Sequence, residues 1–456
     1  MAVEIGTATG HIDLMNKLMV FLSTNADLVA AGQQWEILRN SNMPMPLAWP
    51  GRIAFYNNGS GVNSFPTTMP DAVPTGLNSS GNIKIRFVGK ISLPSSGSYA
   101  FALLAKDQME LRIDGVLIAG VYTSNAANSF AQTGNAVTLT AGLHDIEVTF
   151  VTGSTAGIGM SLGWKKPGDA SFSIIPAANY SDMTGSFGYA DYANPSAADM
   201  QAVVADKTYD IKGPGLSGSD EIYMAMRTAS SAQGDFYNVL SRYTTGYNEN
   251  ALSSQQPGAG PNTFSLMWNQ EIKYWFIANG RRFIVIAKVS TTYASLYGGF
   301  ILPYGLPSEI PYPIAAGASC AINARWSIQT ENHSSFWNPG GYDSASVGGL
   351  YLRRTDGAAD VFKNIYYSNA APGKTYPYSG LIAFRTSPSN DYALQPVVLY
   401  STAGGGNVWG ELDGVFHISG HNNASENTLL IEGKTYLVVQ SGYRTTASDY
   451  AAILLE

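Results

Sequence analysis

The sequence predicts a mainly β protein: a short N-terminal helical segment, then a β-sandwich, then a larger β-rich C-terminal domain. Three observations predict it. Apolar and polar residues alternate along successive short runs, the period of a half-buried strand. Turn-forming residues separate those runs, in a chain with 48 glycines and 22 prolines. Helical spacing of apolar residues is convincing in one stretch only, near the N-terminus. At 456 residues the chain is too long for one core, since single cores stop growing near roughly 250–300 residues. The expected division is a helical adaptor at 1–45, a sandwich with a loop-rich approach at 46–190, and a β-rich domain at 191–456.

The helical segment comes first. Ile12, Met15, Leu18, Met19 and Leu22 recur at helical spacing, and Leu14, Val20 and Phe21 widen the apolar surface beyond one stripe. A helix apolar on so many sides needs burial on several sides, supplied by the body of the chain or by another subunit. Its position at a terminus makes those five residues the candidate interface. A second short helix is expected to be capped at Thr24 or Asn25 and to stop at Gly32. The chain then turns extended from Gln34 to Leu38. Between Asn40 and Ser80, Pro44, Pro46, Pro50, Pro66, Pro70 and Pro74 exclude helix.

Strands follow. Ile83, Ile85 and Phe87 alternate with polar or exposed partners, as do Tyr99, Phe101 and Leu103, and Met109, Leu111 and Ile113. Asp114-Gly115 is a strong hairpin turn. Ile146, Val148 and Phe150 follow, then Ile158, Met160, Leu162 and Trp164. Strands at this near-regular spacing read as a sandwich. The stretch 181–221 is a boundary. Beyond it, Lys273–Ala278 and Arg281–Val289 flank Asn279-Gly280, a second hairpin signal. Further extended runs lie at Leu350–Arg353, Leu381–Arg385, Val397–Tyr400, Val415–Ile418 and Tyr436–Gln440. Prolines 303, 307, 311 and 313 punctuate an aromatic loop. Tyr274-Trp275-Phe276 suits a core strand better than a contact surface.

Composition bounds the function. Charged residues are 13% of the chain, with 45% hydrophobic and 12% aromatic. The charged share is about half the usual roughly 25%, and the apolar content excludes disorder. Few charges with many Tyr, Gly and Asn fit a surface partly covered by neighbours, or an ordinary secreted β protein. The net charge of −7, without a long Lys/Arg run, argues against nucleic acid as a partner. The single cysteine, Cys320, excludes an intrachain disulfide and a zinc-ribbon site. Neither a signal peptide nor a membrane span is read.

Candidate chemistry is sparse. His417 and His421 are four apart, but on a strand that spacing separates them by about 13 Å, so a solvated turn is the better reading. Gly373-Lys374-Thr375 lacks the rest of a phosphate loop. Glu411 and Asp413 alternate on one strand face, roughly 7 Å apart. Asp220 with Glu221 and Glu426 with Glu432 are the other paired carboxylates. Nothing else marks any of them as a glycosidase pair. No enzyme, cofactor or metal is therefore expected.

The stretch Asn82–Tyr180 resembles the β-sandwich module first described in the anthrax protective antigen. The resemblance runs through Ile85-Arg86-Phe87-Val88-Gly89-Lys90, Pro94 to Phe101, Leu111-Arg112-Ile113-Asp114-Gly115, Leu139 to Ile146, Leu162-Gly163-Trp164 and Ile174-Ile175-Pro176. It implies a binding or spacing module, often for carbohydrate, with Asp107 and Asp114 as candidate ligand-binding residues. In the sugar-binding branch two consecutive acidic residues hold calcium. Here the pair is Lys106-Asp107, and the lysine argues against that calcium site. The stretches Ile12–Arg39 and Trp268–Pro313 resemble virion proteins of tailed bacteriophages. That likeness implies a structural subunit of the virion, at the tail, baseplate or fibre attachment. Its partners would be other virion proteins, copies of itself and a host-surface glycan. The alternatives are a carbohydrate-binding adhesin and a polysaccharide-degrading tail enzyme.

Overall fold

The N-terminal segment folds as β1 (Ala2–Thr9), α1 (His11–Thr24), α2 (Ala26–Ala30) and β2 (Glu36–Asn42). Asn25 separates the two helices, and its side chain accepts from the backbone of Asp27 and Leu28 at 3.0 and 3.4 Å. This is the cap expected at the α2 N-terminus, and Gly32 leaves the helix at φ +65°. The computed structural model describes residues 1–42, 52–55, 82–105, 108–121, 131–132, 136–152, 158–190, 207–231, 235–249, 253, 256–318, 325, 335–337, 350–361, 363–364, 392–401, 407–442 and 450–456. The expected strand at Leu381–Arg385, most of the proline-rich stretch after Asn42, and Cys320 lie outside them.

The next strands are β3 (Arg52–Phe55), β4 (Asn82–Leu93), β5 (Gly97–Ala105), β6 (Gln108–Ile113), β7 (Val116–Val121), β8 (Ala131–Gln132), β9 (Val137–Leu139), β10 (Gly142–Thr152), β11 (Ile158–Lys165), β12 (Ser173–Ile174) and β13 (Tyr180–Ala190). They form two antiparallel sheets, ordered β13-β4-β10-β6-β7 and β12-β11-β5-β8, with β3 added on β11 and β9 on β5. Phe87, Leu111, Ile113, Ile146 and Val148 of one sheet meet Tyr99, Phe101, Leu103, Leu162 and Trp164 of the other in a single core. The sandwich is as expected, including the Asp114-Gly115 turn, where φ is +49° and +77°.

The remaining strands build three sheets. They are β14 (Lys207–Gly213), β15 (Ile222–Ser231), β16 (Phe236–Thr244), β17 (Thr263–Met267), β18 (Glu271–Ala278), β19 (Arg282–Val289), β20 (Thr292–Phe300), β21 (Leu302–Pro303), β22 (Ile314–Gly317), β23 (Leu350–Arg353), β24 (Ala359–Val361), β25 (Lys363–Asn364), β26 (Gln395–Ser401), β27 (Asn407–Ile418), β28 (Thr428–Ile431), β29 (Lys434–Gln440) and β30 (Tyr450–Leu454). The central sheet runs β1-β18-β19-β20-β22-β23-β24; a second runs β17-β16-β15-β14-β2; a third runs β25-β26-β27-β30-β29-β28, with β21 on β27.

The central sheet is buried on both faces. Tyr274, Phe276, Phe283, Val285 and Leu296 point to a core shared with the second sheet and α1. Their strand neighbours Trp275, Ile277, Ile284, Ile286 and Tyr297 point to a core shared with the third sheet. The two-residue period of a strand divides one set of strands between two cores. Tyr274-Trp275-Phe276 is core strand, as its residue types suggest.

The N-terminal segment is not a separate adaptor. β1 pairs along its whole length with β18, Ala2 against Ala278 through Thr9 against Glu271. Met15, Leu18, Met19 and Leu22 are at most 3% exposed and belong to the core of the second sheet, while Ile12 is half-buried. The predicted interface is thus occupied by the body of the chain, which supplies the several-sided burial this helix needs. Gly6 lets Tyr274 cross β1, because a Cβ there would lie 2.7 Å from its ring. The turn at Asn279-Gly280 also forms for a reason the dipeptide alone does not give. Gly280 is not in the left-handed region; a Cβ on it would meet the Gly215 carbonyl. Asn279 Oδ1 accepts from the backbone of Arg281 and Arg282 at 2.8 and 3.0 Å.

β2 and β14 pair with each other, Asn42 against Lys207 and Arg39 against Asp210. The sandwich is therefore an insertion between two adjacent strands of the second sheet. A buried ion pair closes its root, Arg39 Nε lying 3.0 Å from Asp210 Oδ2. The Arg39 guanidinium also donates to the carbonyls of Asn248 and Glu249 at 3.1 and 2.9 Å. Burial pushes the Asp210 carboxyl up to about 6, against the pull of Arg39 and Arg242.

Two outcomes test this packing. Leu22→Ala lowers the free energy of unfolding in urea by about 2–5 kcal/mol and leaves the size of the particle in solution unchanged. Arg39→Ala costs about 3–5 kcal/mol by stranding a buried carboxylate, and the double replacement Arg39→Met with Asp210→Leu recovers most of that loss.

Candidate functional site

The sandwich carries one of the two residues singled out as ligand-binding, Asp114; the other, Asp107, lies outside the described residues together with Lys106. Asp114 sits in the β6–β7 turn, and both of its carboxylate oxygens are engaged. Oδ2 lies 2.6 Å from His144 Nδ1, and Oδ1 accepts from the Asp145 backbone N–H at 2.9 Å. The His144 ring reaches the other way to the Thr140 carbonyl, at 2.9 Å from Nε2. Asp145 accepts in turn from Lys90 Nζ at 2.5 Å. Asp114 thus ties the hairpin tip to the start of β10. Burial raises its carboxyl, but the bond from His144 and that from the Asp145 backbone outweigh it and leave it below the ordinary range. The bond to Asp114 raises His144, against a smaller lowering by burial.

The turn before β5 is fixed by local contacts from the same run of residues. Tyr99 Oη donates to the Ser95 carbonyl at 2.7 Å, and Ser96 Oγ accepts from the Ala141 backbone at 2.8 Å. Gly97 is needed because a Cβ there would lie 2.6 Å from the Pro167 ring. Across the outer face of β4 and β10, Arg86 pairs with Glu147 at 2.7 Å. The apolar side chains Val116, Leu117 and Leu143 are exposed at the end that Asp114 ties down, at 62, 41 and 66%.

The other sequence candidates are structural. Glu411 accepts from Tyr304 Oη at 2.8 Å, and Asp413 lies 3.8 Å from the buried Arg282. Glu221 pairs with Lys212 at 2.8 Å. His417 is buried in β27, where burial holds its ring down at about 3, and His421 lies in the exposed turn beyond it. His333 and Gly373-Lys374-Thr375 fall outside the described residues. Among the described residues no three His, Cys, Asp or Glu side chains converge as a metal site would require, and no helix is long and apolar enough to cross a membrane.

The sequence marks Glu426 as a carboxylate near Glu432, but not the polar cluster to which it belongs. Glu426, at φ +72°, accepts from Lys273, Lys288 and Tyr293 at 2.6, 2.5 and 2.7 Å. It holds the 419–427 turn to β18, β19 and β20. Its partners stand 133–153 residues away in sequence, so no local pattern announces them. Lys273 Nζ also covers the Trp275 ring at 4.7 Å.

Residues 67–177 match the family model of the PA14 domain. Three solved structures are similar to the chain. The PA14 domain of the MpAFP antifreeze protein is 20% identical, with 23% of this chain and 53% of that chain covered, at a TM-score of 0.19. The PA14 sugar-binding domain from an RTX adhesin is 22% identical, with 22% and 55% covered, at 0.19. The A domain of epithelial adhesin 6 from Candida glabrata is 15% identical, with 29% and 65% covered, at 0.21. The chain thus spans between 53 and 65% of the length of those three. No curated protein matches the chain.

The Glu426 cluster makes a pH prediction. Burial would raise that carboxyl, but its hydrogen bonds hold it at about 2, below the ordinary 4.5. Its contribution to stability is therefore present above pH 4.5 and is lost as pH falls toward 2. Acid titration of the folded state, followed by intrinsic tryptophan fluorescence, should show a loss of stability across that window that Glu426→Gln abolishes.

Proposed function

We infer that this chain, which carries a PA14 domain, is a non-catalytic binding protein that presents its sandwich to carbohydrate at a cell surface. The observation that carries the reading is the family match over residues 67–177, whose described residues form two sheets around a core of their own. Two of the similar chains fit it: one is the sugar-binding domain of an adhesin, and the other is an adhesin in complex with Galb1-3GlcNAc. The scaffold favours display. The sandwich leaves and rejoins the second sheet through neighbouring strands, so it is joined to the rest of the fold at one root. Lys106 stands where calcium-binding relatives would place a carboxylate, and an ammonium group donates directly to sugar hydroxyls. Binding is therefore independent of calcium, and Asp107 supplies the acceptor beside it.

A structural subunit of a phage virion, at the tail, baseplate or fibre attachment, is the second reading. It places the protein in the particle, with other virion proteins and copies of itself as partners. The position of β1 at the edge of the central sheet, with Ile5 57% exposed, supports it. An open edge strand is a template for pairing with another chain. The helix first expected to dock is already used inside the fold.

A glycan array probed with the full chain should show retention on a defined set of oligosaccharides. That retention should survive EDTA and fall at least about tenfold with Asp107→Ala, the loss expected when a charged hydrogen-bond acceptor is removed. An array without retained glycans overturns the carbohydrate reading. Light scattering on the same sample separates the second reading: a discrete oligomer supports assembly, and a monomer at all concentrations removes it.

A further inference from the structure

The imidazole of His144 faces acceptors at both nitrogens. Nδ1 lies 2.6 Å from the Asp114 carboxylate and Nε2 lies 2.9 Å from the Thr140 carbonyl. A carbonyl oxygen only accepts, and so does an ionised carboxylate. A neutral ring carries one N–H and can satisfy one of the two; the imidazolium satisfies both. The Thr140 hydroxyl, at 3.4 Å from Nε2, is the partner a neutral ring would have to find instead. We propose that His144 is a proton-operated clasp: as imidazolium it pins the β6–β7 hairpin tip to the turn between β9 and β10, and losing its proton uncouples the two.

The surrounding charges favour the protonated ring. Asp114 on the β6–β7 turn and Asp145 on β10 both raise His144. Lys90 on β4 is drawn to Asp145 at 2.5 Å, and it also acts on Asp114. Asp182 on β13 acts on Lys90 in turn. Arg112 on β6 donates to the Gly115 carbonyl at 3.2 Å, within the hairpin itself. The ring is largely enclosed, with its side chain 10% exposed, while the Asp114 side chain opposite it is 49% exposed. His144 gains its proton more readily in the fold than in the unfolded chain. Its contribution is complete below pH 6.5 and is lost as pH rises through the raised value. Asp114 bounds the other side: its share is present above pH 3.8 and is lost as pH falls through its lowered value. The clasp is closed between those limits.

The opening acts on an apolar edge that is already in water. Val116, Leu117 and Leu143 flank the clasp, one group on the hairpin and one on β10. Closed, the clasp fixes the spacing of that apolar edge; open, the 140–141 turn loses its link through the ring to the hairpin tip, while the Asp114 backbone N–H still donates to the Asp145 carbonyl at 2.9 Å. The device needs no ligand, and it stands apart from the question of what the sandwich binds.

The test uses the full chain with isotope-labelled histidine, of which there are five, the His144 resonance being assigned by its disappearance in His144→Gln. The expected result is a titration midpoint above 6.5 with both ring nitrogens protonated below it, and a midpoint lowered by Asp114→Asn. Amide hydrogen exchange at 113–116 and 140–145, corrected for the intrinsic rate, should then quicken at least fivefold through the midpoint, and His144→Gln should show the fast rates at every pH. A midpoint at or below 6.5, a midpoint unmoved by Asp114→Asn, or exchange in the unmodified chain that ignores the midpoint overturns the proposal.

Discussion

Burial of the central sheet on both faces is the constraint from which the scaffold follows. An antiparallel sheet commonly keeps one face in water, and its strands then alternate. Here β19 runs Phe283 to Ala287 without an exposed residue, because odd and even positions enter different cores. Each face must be covered by a whole layer, so the second and third sheets are requirements of the first. The polar groups left inside must also be met. Arg282 is fully buried; its guanidinium reaches the Ile277 carbonyl at 3.4 Å and lies 3.8 Å from Asp413. Ser265 Oγ donates to the Ser295 carbonyl at 2.9 Å. Such pairs are costly to break because the group left behind has no water.

The same constraint explains the N-terminus. Without β1, the edge of the central sheet would expose the backbone of β18 beside two cores. β1 closes that side, and α1 then finishes it. Lys17 donates to the Thr7 carbonyl at 2.6 Å and Asp13 accepts from the Thr9 backbone at 2.8 Å, so the helix covers the C-terminal half of the new edge with charged side chains, a usual protection for edge strands. The insertion of the sandwich between β2 and β14 is tolerable for a related reason. The two strands pair up to Asn42 and Lys207, so the chain leaves and returns at one place and the ladder between them is intact.

Much of this was legible in the sequence, and the misses share a cause. The sandwich strands, the Asp114-Gly115 turn and the Asn25 cap depend on neighbours within a few residues, and local pattern identifies them. The helix was legible as a helix, and its need for burial on several sides was legible too. What covers it was not, because Tyr209, Met224 and Phe276 stand some 200 residues or more away in the chain. β1 was missed because Ala2, Gly6 and Ala8 give it little alternation; they are small because Tyr274 and the core crowd that side. Asp114 was singled out as a ligand-binding position, and the structure shows it tied to His144 and Asp145 within the sandwich. The Glu426 cluster was invisible for the same reason of distance.

Composition carries a related lesson. A charged content of 13% suggests a surface covered by neighbours, and that suggestion led toward an assembly. The fold offers another source for the same number. Three stacked sheets and a separate sandwich contain four distinct apolar clusters, and the middle sheet places almost none of its residues in water. A chain arranged in this way must be poor in charge even when its outer surface is ordinary, because a larger share of its strands has no outer face. Low charge is then a property of the layering before it is evidence of partners. What distinguishes an assembly subunit from a free-standing binding protein lies at particular places, the Ile5 edge of β1 and the loops of the sandwich.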